Sequence, residues 1–233
     1  MRSPFFHGVG GVVSADIAVP EHERELDFYR RVLTTGSAPL WRDDLTNNQG
    51  MPVIGLGFRT PEYEVLPLQW FPHFQVADVA TSAARAVELG GRELMHGRDD
   101  DGQSQWAGLV DPGGAAFGVI PVVDEPSPDP GQLGDIGHIA RVALLAEDVA
   151  SMSSFYEQVV GLAADTAEIA ASDEFKSGIG SVWLIHLPVD NFAESLRQVD
   201  EGGGEVVWQP TDEERAVIRD PVGVYFALTA RSS

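Results

Sequence analysis

Apolar runs and helical spacing alternate along the first sixty residues. Val12 to Val19 is a mostly apolar run of strand length. Glu21 to Leu33 follows, with apolar side chains three or four positions apart, which is the spacing of a helix with one buried face. Short runs at 39–45 and 52–58 then predict two further strands. The pattern therefore predicts a strand, a helix and more strands, in that order.

The same order of elements starts again at residue 66. Residues 66–76 are strand-like, and Asp78 is a typical N-cap for a helix over 79–89, which Gly90 would end. Three strand-like runs complete this second unit, at 92–95, 105–110 and 115–121. Each unit therefore reads as a βαβββ module.

A turn followed by a strand occurs once in each half of the chain. Residues 111–120 read DPGGAAFGVI, and residues 220–229 read DPVGVYFALT. Proline fixes φ at the corner of the turn, and the glycine behind it accepts a positive φ. Two copies of one turn in the same chain suggest that a larger unit is duplicated.

Two more motifs repeat in the same order and support a duplication. Phe28-Tyr29 precedes Arg-Arg-Val-Leu, and Phe155-Tyr156 precedes Glu-Gln-Val-Val. His73 and His186 each stand 17 residues before a Gly-Gly pair. Because three motifs agree in order, we interpret the two halves of the chain as copies of each other.

A proline-rich stretch separates the two copies. Residues 124–132 read DEPSPDPGQ, which is a poor core sequence and a good linker. We predict a first domain over 1–123, a linker over 124–134 and a second domain over 135–233.

Composition and charge exclude several classes of function. The 233 residues include no cysteine, so disulfides, thiolate metal sites and cysteine nucleophiles are excluded. The net charge of −21 opposes binding to nucleic acids and to anionic membranes. The sequence has no apolar run of membrane-spanning length and no apolar core of a signal peptide at its start, so we expect a cytoplasmic protein.

These motifs resemble the vicinal-oxygen-chelate superfamily, which includes glyoxalase I, bleomycin-resistance proteins and extradiol dioxygenases. The resemblance rests on FYRRVL and FYEQVVGL in the first helices, on the two DPxG turns, and on the stretch from Trp70 to Val79. It implies an α+β fold of tandem βαβββ modules that form two open barrel-like domains, each around a ligand cavity. Fold alone does not fix the function within such a superfamily.

The resemblance also implies where metal ligands would lie. Metal enzymes of this superfamily use His, Gln or Glu on inward-facing strands. Three ligand positions can be counted, from the Phe-Tyr pair, from the helix-opening Asp or Asn, and from the DPxG turn. In that order they are Ser14, Phe71 and Gly118 in the first half. In the second half they are Arg141, Leu184 and Ala227. The strands expected to carry the remaining ligand, at 52–58 and 178–183, contain no His or carboxylate. We therefore predict no metal site and no other cofactor.

His73 and His186 are the foremost candidate site residues. Each stands two residues beyond a vacant ligand position. Because residues two apart on a strand share a face, both side chains are expected to face the interiors of their barrels. Each is either a hydrogen-bonded wall residue or a group that binds substrate or transfers a proton. A shifted register would instead pair His138 with His186 as metal ligands, without an obvious third ligand.

Four other residues complete the candidate ligand-binding set. Alternation places Asp16 on the same face of its strand as Ser14, and Trp106 is expected to line the same hollow. A buried Asp needs a donor or a ligand. Arg141 in the second half is expected to pair with a carboxylate, either of a ligand or of the protein itself.

Two principal hypotheses follow for the function. The first is binding of a small organic molecule in a barrel cavity without a metal centre, as in resistance or sequestration proteins. The second is a metal-dependent lyase, isomerase or dioxygenase with an atypical ligand set. A third interpretation, a scaffold whose barrels serve an interface, and a homodimer both stay open.

Overall fold

A computed structural model of the protein describes residues 3–33, 53–123, 139–172 and 179–231. The strand predicted at 39–45, the predicted linker at 124–134 and His138 lie outside these ranges.

The described part of the first half forms one mixed six-stranded sheet with two α-helices. Its elements in chain order are β1 (Val12–Val19), α1 (His22–Leu33), β2 (Val53–Phe58), β3 (Phe71–Val76), α2 (Val79–Glu88), β4 (Arg92–Arg98), β5 (Ser104–Val110) and β6 (Ala116–Pro121). A short 3-10 helix, Pro61–Val65, leads from β2 towards β3.

The described part of the second half repeats this plan. Its elements are β7 (Arg141–Ala146), α3 (Val149–Val160), β8 (Glu168–Ala171), β9 (Val182–Val189), α4 (Phe192–Glu201), β10 (Glu205–Trp208), β11 (Arg215–Arg219) and β12 (Tyr225–Ala230).

The strand order confirms that the halves are copies. The first sheet has the order β2-β1-β3-β6-β5-β4, and the second, read from its other edge, has the order β8-β7-β9-β12-β11-β10. Each sheet combines one complete βαβββ module with a strand–helix–strand unit, and both sheets stay open. The α+β class and the tandem modules predicted from the sequence are therefore present.

The helix boundaries follow local chemistry. Asp78 caps α2 by accepting a hydrogen bond from the Thr81 backbone N–H, and Gly90 takes a positive φ of 93° just beyond the helix. Asp148 caps α3 through Ser151 in the same way. Within the described ranges, no helix is both long enough and apolar enough to cross a membrane.

The repeated motifs meet across the interface between the two halves. The hydroxyl of Tyr156 in α3 donates to the carboxylate of Asp111, in the DPxG turn of the first half, over 3.0 Å, and it accepts a 2.8 Å hydrogen bond from the Trp183 indole. Tyr29 in α1 makes the reciprocal bond of 3.0 Å to Asp220 in the other turn.

Buried aromatic rings fill the space around these bonds. Phe28 packs edge-on against Phe226 of the other half, and Phe155 packs in the same way against Phe117. One large hydrophobic core therefore runs through both halves. The Phe-Tyr pairs and the DPxG turns hold the halves together, which is a structural role.

Candidate functional site

The inner face of the first sheet surrounds a cavity of about 530 Å³. This volume lies within the range of about 300–1,000 Å³ that is common for small-molecule pockets. The polar residues on its wall are Asp16, Arg59, His73 and Gln105. Most of the remaining wall is apolar, and it includes Trp106.

Three of the residues predicted from the sequence meet at one nitrogen atom. Ser14 Oγ lies 2.9 Å from Nδ1 of His73, and Asp16 Oδ2 lies 3.2 Å from the same Nδ1. Ser14 is the strand partner of His73, which places the two side chains on one face of the sheet. A bulge between Val12 and Ser14 shifts the pairing only beyond this point, so it leaves His73 on the cavity wall.

Glycines create the space that the cavity occupies. A Cβ atom at Gly118 would lie 1.8 Å from the His73 ring, so the imidazole fits there only because residue 118 has no side chain. Gly55 stands opposite Asp16, and Gly108 stands opposite Gly118. With a glycine at each of these positions, the inner face of the sheet stays hollow.

The mouth of the cavity is apolar and partly exposed. The Trp106 side chain is 40% exposed and lies over Gly97, where a Cβ atom would come within 2.0 Å of the indole nitrogen. Phe58 and Tyr63 are also exposed on the wall. The guanidinium of Arg59 donates to three backbone carbonyls, those of Ala18, Glu64 and Leu66.

The equivalent space in the second half is nearly filled. It measures about 20 Å³, enough for one water-sized molecule. Strand register shows why, because larger side chains replace those of the first half at matching positions. The replacements are Arg141 for Ser14, Glu168 for Gly55, Val217 for Gly108 and Trp208 for Met95.

Charged groups occupy the interior of this second barrel. Arg141 forms a 3.2 Å ion pair with Glu168, and the Arg215 guanidinium lies 5.1 Å from the centre of the Trp208 ring. The carboxylate that Arg141 was expected to meet is thus supplied by the protein itself.

His186 occupies the same register position in the second half as His73 in the first. Its side chain is buried, and neither ring nitrogen has a hydrogen-bond partner among the described residues. Burial lowers the pKa of His186 well below its usual 6.5, and the positive charges of Arg141 and Arg215 lower it further. His186 is therefore neutral at physiological pH and faces a space too small for an organic ligand.

The donor atoms around the first cavity do not fit a metal centre of the superfamily's type. The three positions that the resemblance points to hold a serine, a phenylalanine and a glycine, and Nδ1 of His73 is already engaged with Asp16. Within the described ranges, no cluster of three or more His, Cys, Asp or Glu side chains could hold a metal ion.

Some features of the site were missed by sequence reasoning. Arg59, Met95 and Gly108 line the first cavity, and Glu168 lines the second, but none was singled out beforehand. Aligning the two halves residue by residue would have shown the exchange of glycines for larger side chains. The engagement of Arg59 with backbone carbonyls has no such signal, since it depends on how the chain runs between β2 and β3.

Comparison with known families places the cavity in a recognised domain. Residues 13–120 match the family described as a glyoxalase-like domain. This stretch covers nearly all of the first sheet and every described residue of the first cavity wall.

Curated relatives cover about 70% of the chain. The protein named "Putative glyoxylase CFP32" of Mycobacterium tuberculosis is 25% identical over 186 residues, which are 71% of this chain and 70% of the relative. The anthracycline biosynthesis protein DauV of Streptomyces sp. strain C5 is 27% identical over 184 residues, which are 70% of this chain and 66% of the relative.

Solved structures share the fold of the whole chain. A variant of homoprotocatechuate 2,3-dioxygenase from B. fuscum aligns with a TM-score of 0.51 and 11% identity, over 97% of this chain and 72% of the other. A mutant of 4-hydroxymandelate synthase from Streptomyces coelicolor aligns with a TM-score of 0.50 and 14% identity, over 98% and 94%. These likenesses concern the fold alone. Residues 13–120 are thus similar to a glyoxalase-like domain, and the whole chain, with its duplicated sheets, shares the fold of these solved structures.

Proposed function

We propose that the protein binds a small, uncharged organic molecule in the cavity of its first half, without a metal centre. The observation that carries this proposal is the difference between the two barrels, about 530 Å³ against about 20 Å³. Two copies of one unit have diverged so that one stays hollow and the other is filled. A hollow barrel with an apolar wall and few polar groups is typical of a ligand site.

The chemistry of the wall supports an uncharged and largely flat ligand. Trp106, Phe71 and Tyr63 offer ring faces and edges for stacking. Asp16 is about half exposed and would repel an anion. The Arg59 guanidinium on the same wall is held by backbone carbonyls, and its formal charge cancels that of Asp16, which suits an uncharged ligand. The name of the Streptomyces relative, which concerns anthracycline biosynthesis, is consistent with an organic ligand.

Filling the cavity tests this proposal without removing any polar group. A Cβ atom at Gly108 would meet Leu66, Met95 and Phe71 at 3.6–3.9 Å, which is ordinary contact, so Gly108→Val should fold while it shrinks the cavity. Calorimetry with a panel of uncharged aromatic molecules of one to three rings should show at least one that binds wild type and binds Gly108→Val about tenfold more weakly, a loss of about 1.4 kcal/mol.

Gly180→Val is the matched control, because Gly180 has open space around it and should leave binding unchanged. If no compound binds, or if binding ignores Gly108→Val, the cavity is not the ligand site. Elemental analysis of protein purified without chelator should find well under one transition metal per chain. Stoichiometric metal that supports activity would favour the alternative, a metal-dependent lyase, isomerase or dioxygenase.

A further inference from the structure

We propose that the first cavity is also a catalytic site, in which His73 acts as a general base that takes a proton from a carbon acid. The substrate class is an uncharged organic molecule whose C–H bond is acidified by a neighbouring carbonyl or heteroaromatic ring. This inference rests on the proposed binding function and adds a reaction to it.

The first step of the argument is the tautomer of His73. A carboxylate oxygen 3.2 Å from Nδ1 favours a proton on that nitrogen, because two unshared electron pairs would otherwise face each other. On this ground we assign His73 the Nδ1–H tautomer, which leaves the lone pair on Nε2. Asp16 also stabilises the imidazolium that forms when Nε2 takes a proton.

The second step is that Ser14 does not act as a nucleophile. In a hydrolytic triad, the serine and the acid bind opposite nitrogens of the histidine. Here Ser14 Oγ and Asp16 Oδ2 both lie beside Nδ1, at 2.9 and 3.2 Å. Both side chains therefore position His73, and the reactive nitrogen is Nε2.

The third step is access to Nε2. The His73 side chain is 22% exposed and lies on the cavity wall, with its ring over Gly118. Among the described residues, no side chain or backbone group forms a hydrogen bond with Nε2. A ligand in the cavity can therefore reach this nitrogen, and the apolar wall around it limits competition from water.

The charges of the site select the substrate. The carboxylate of Asp16 disfavours an anion, and the Arg59 guanidinium on the same wall is held in place by backbone carbonyls. A single base can move one proton, so the reaction that fits is enolisation, isomerisation or elimination with no redox partner. Removing the proton leaves an electron pair on carbon that must move onto an electronegative atom of the substrate itself.

The probe 5-nitrobenzisoxazole meets these requirements and needs no co-reactant. Nε2 takes the proton from C3, the C–H electron pair forms the third bond of a nitrile, and the N–O bond breaks. The oxygen leaves as a coloured phenolate, and water regenerates neutral His73. The product is followed by its visible absorbance.

Wild type should accelerate this elimination on the order of 100-fold over free imidazole at equal concentration. His73→Gln should abolish the acceleration, while Asp16→Asn should lower kcat at least tenfold and leave KM nearly unchanged. Such a split marks Asp16 as a positioning residue, since a merely structural loss would alter binding as well. The matched control is His96→Gln, which alters a histidine of β4 that is hydrogen-bonded to Ser104 of β5, and it should keep wild-type rates.

Binding of the unreactive analogue 5-nitroindazole, measured by calorimetry on each variant, separates the two proposals and shows that each variant is folded. If the analogue binds in the cavity but no acceleration occurs, the general-base assignment is wrong and the binding function stands. Acceleration that survives His73→Gln likewise overturns it. If neither the analogue nor the panel of aromatic molecules binds, both proposals fail.

Discussion

Glu25 is a buried acid at the interface between the halves, and its replacement should stabilise the protein at alkaline pH. It lies on α1, one turn before Tyr29, and its side chain is inaccessible to solvent. Neither of its carboxyl oxygens makes a hydrogen bond of standard geometry within the described residues, but its carboxyl group lies beside that of Asp220. The matching position in the other half is Met152, which fills the same kind of space without charge.

The pKa of Glu25 sets the size of the effect. Burial, and then the nearby carboxylate of Asp220, raise this pKa from 4.5 to about 8. Between these values the unfolded chain has released its proton and the folded protein has not, so stability is complete below pH 4.5 and falls as the pH rises towards 8. A tenfold change in proton affinity is worth about 1.4 kcal/mol, so the upper limit is about 5 kcal/mol. Local rearrangement on ionisation reduces this limit, and we expect about 2 kcal/mol.

Urea denaturation of Glu25→Gln at several pH values between 5 and 8.5 measures this effect. Glutamine imitates the protonated acid, so the variant should match wild type near pH 5 and exceed its free energy of unfolding by about 2 kcal/mol at pH 8.5. Glu23→Gln, an exposed site on the same helix, should keep the wild-type slope. If the free energy of unfolding of Glu25→Gln falls in parallel with that of wild type over this range, ionisation of the buried acid does not cause the loss of stability.

Two further predictions concern buried polar groups. Because the pKa of His186 lies well below 6.5, its contribution to stability is complete above pH 6.5 and is lost as the pH falls. In urea melts, the free energy of unfolding of His186→Phe should therefore fall by about 1–2 kcal/mol less than that of wild type between pH 7 and pH 5. An unchanged pH dependence would contradict this. Tyr156→Phe removes the donor to Asp111 and the acceptor of the Trp183 N–H, and it should cost about 1–3 kcal/mol in thermal or urea unfolding. The exposed Tyr63→Phe is its control, and equal costs in both variants would show that the buried bonds contribute nothing.

The order of the elements could be predicted from sequence because each element carries its own local signal. The helix over Val79–Glu88 is fixed by an N-cap at Asp78 and a glycine stop at Gly90, and the structure confirms both ends. The two DPxG turns signal themselves through proline and through glycines with a φ of 99° at Gly114 and Gly223. Such signals need no knowledge of the rest of the fold.

The partners of the repeated motifs could not be predicted in this way. The Phe-Tyr pairs and the DPxG turns are far apart in sequence, and the bond between Tyr29 and Asp220 spans 191 positions. Periodicity reports which face of an element is buried, but it does not report which other face covers it. The repeats therefore revealed the duplication, while only the packing revealed that each copy uses its motif to hold the other copy.

The same packing explains how one barrel could be filled while the other stays hollow. The inner face of each sheet is separate from the face that joins the halves, so Arg141 and Glu168 fill the second barrel without touching the bonds of Tyr156 or Tyr29. Both halves contribute buried aromatic side chains to one shared core, which stabilises them together. An open cavity lined by glycines loses packing contacts, which lowers stability. A functional role of the cavity would offset that cost. In the first barrel, the candidate for that role is the site formed by Asp16 and His73.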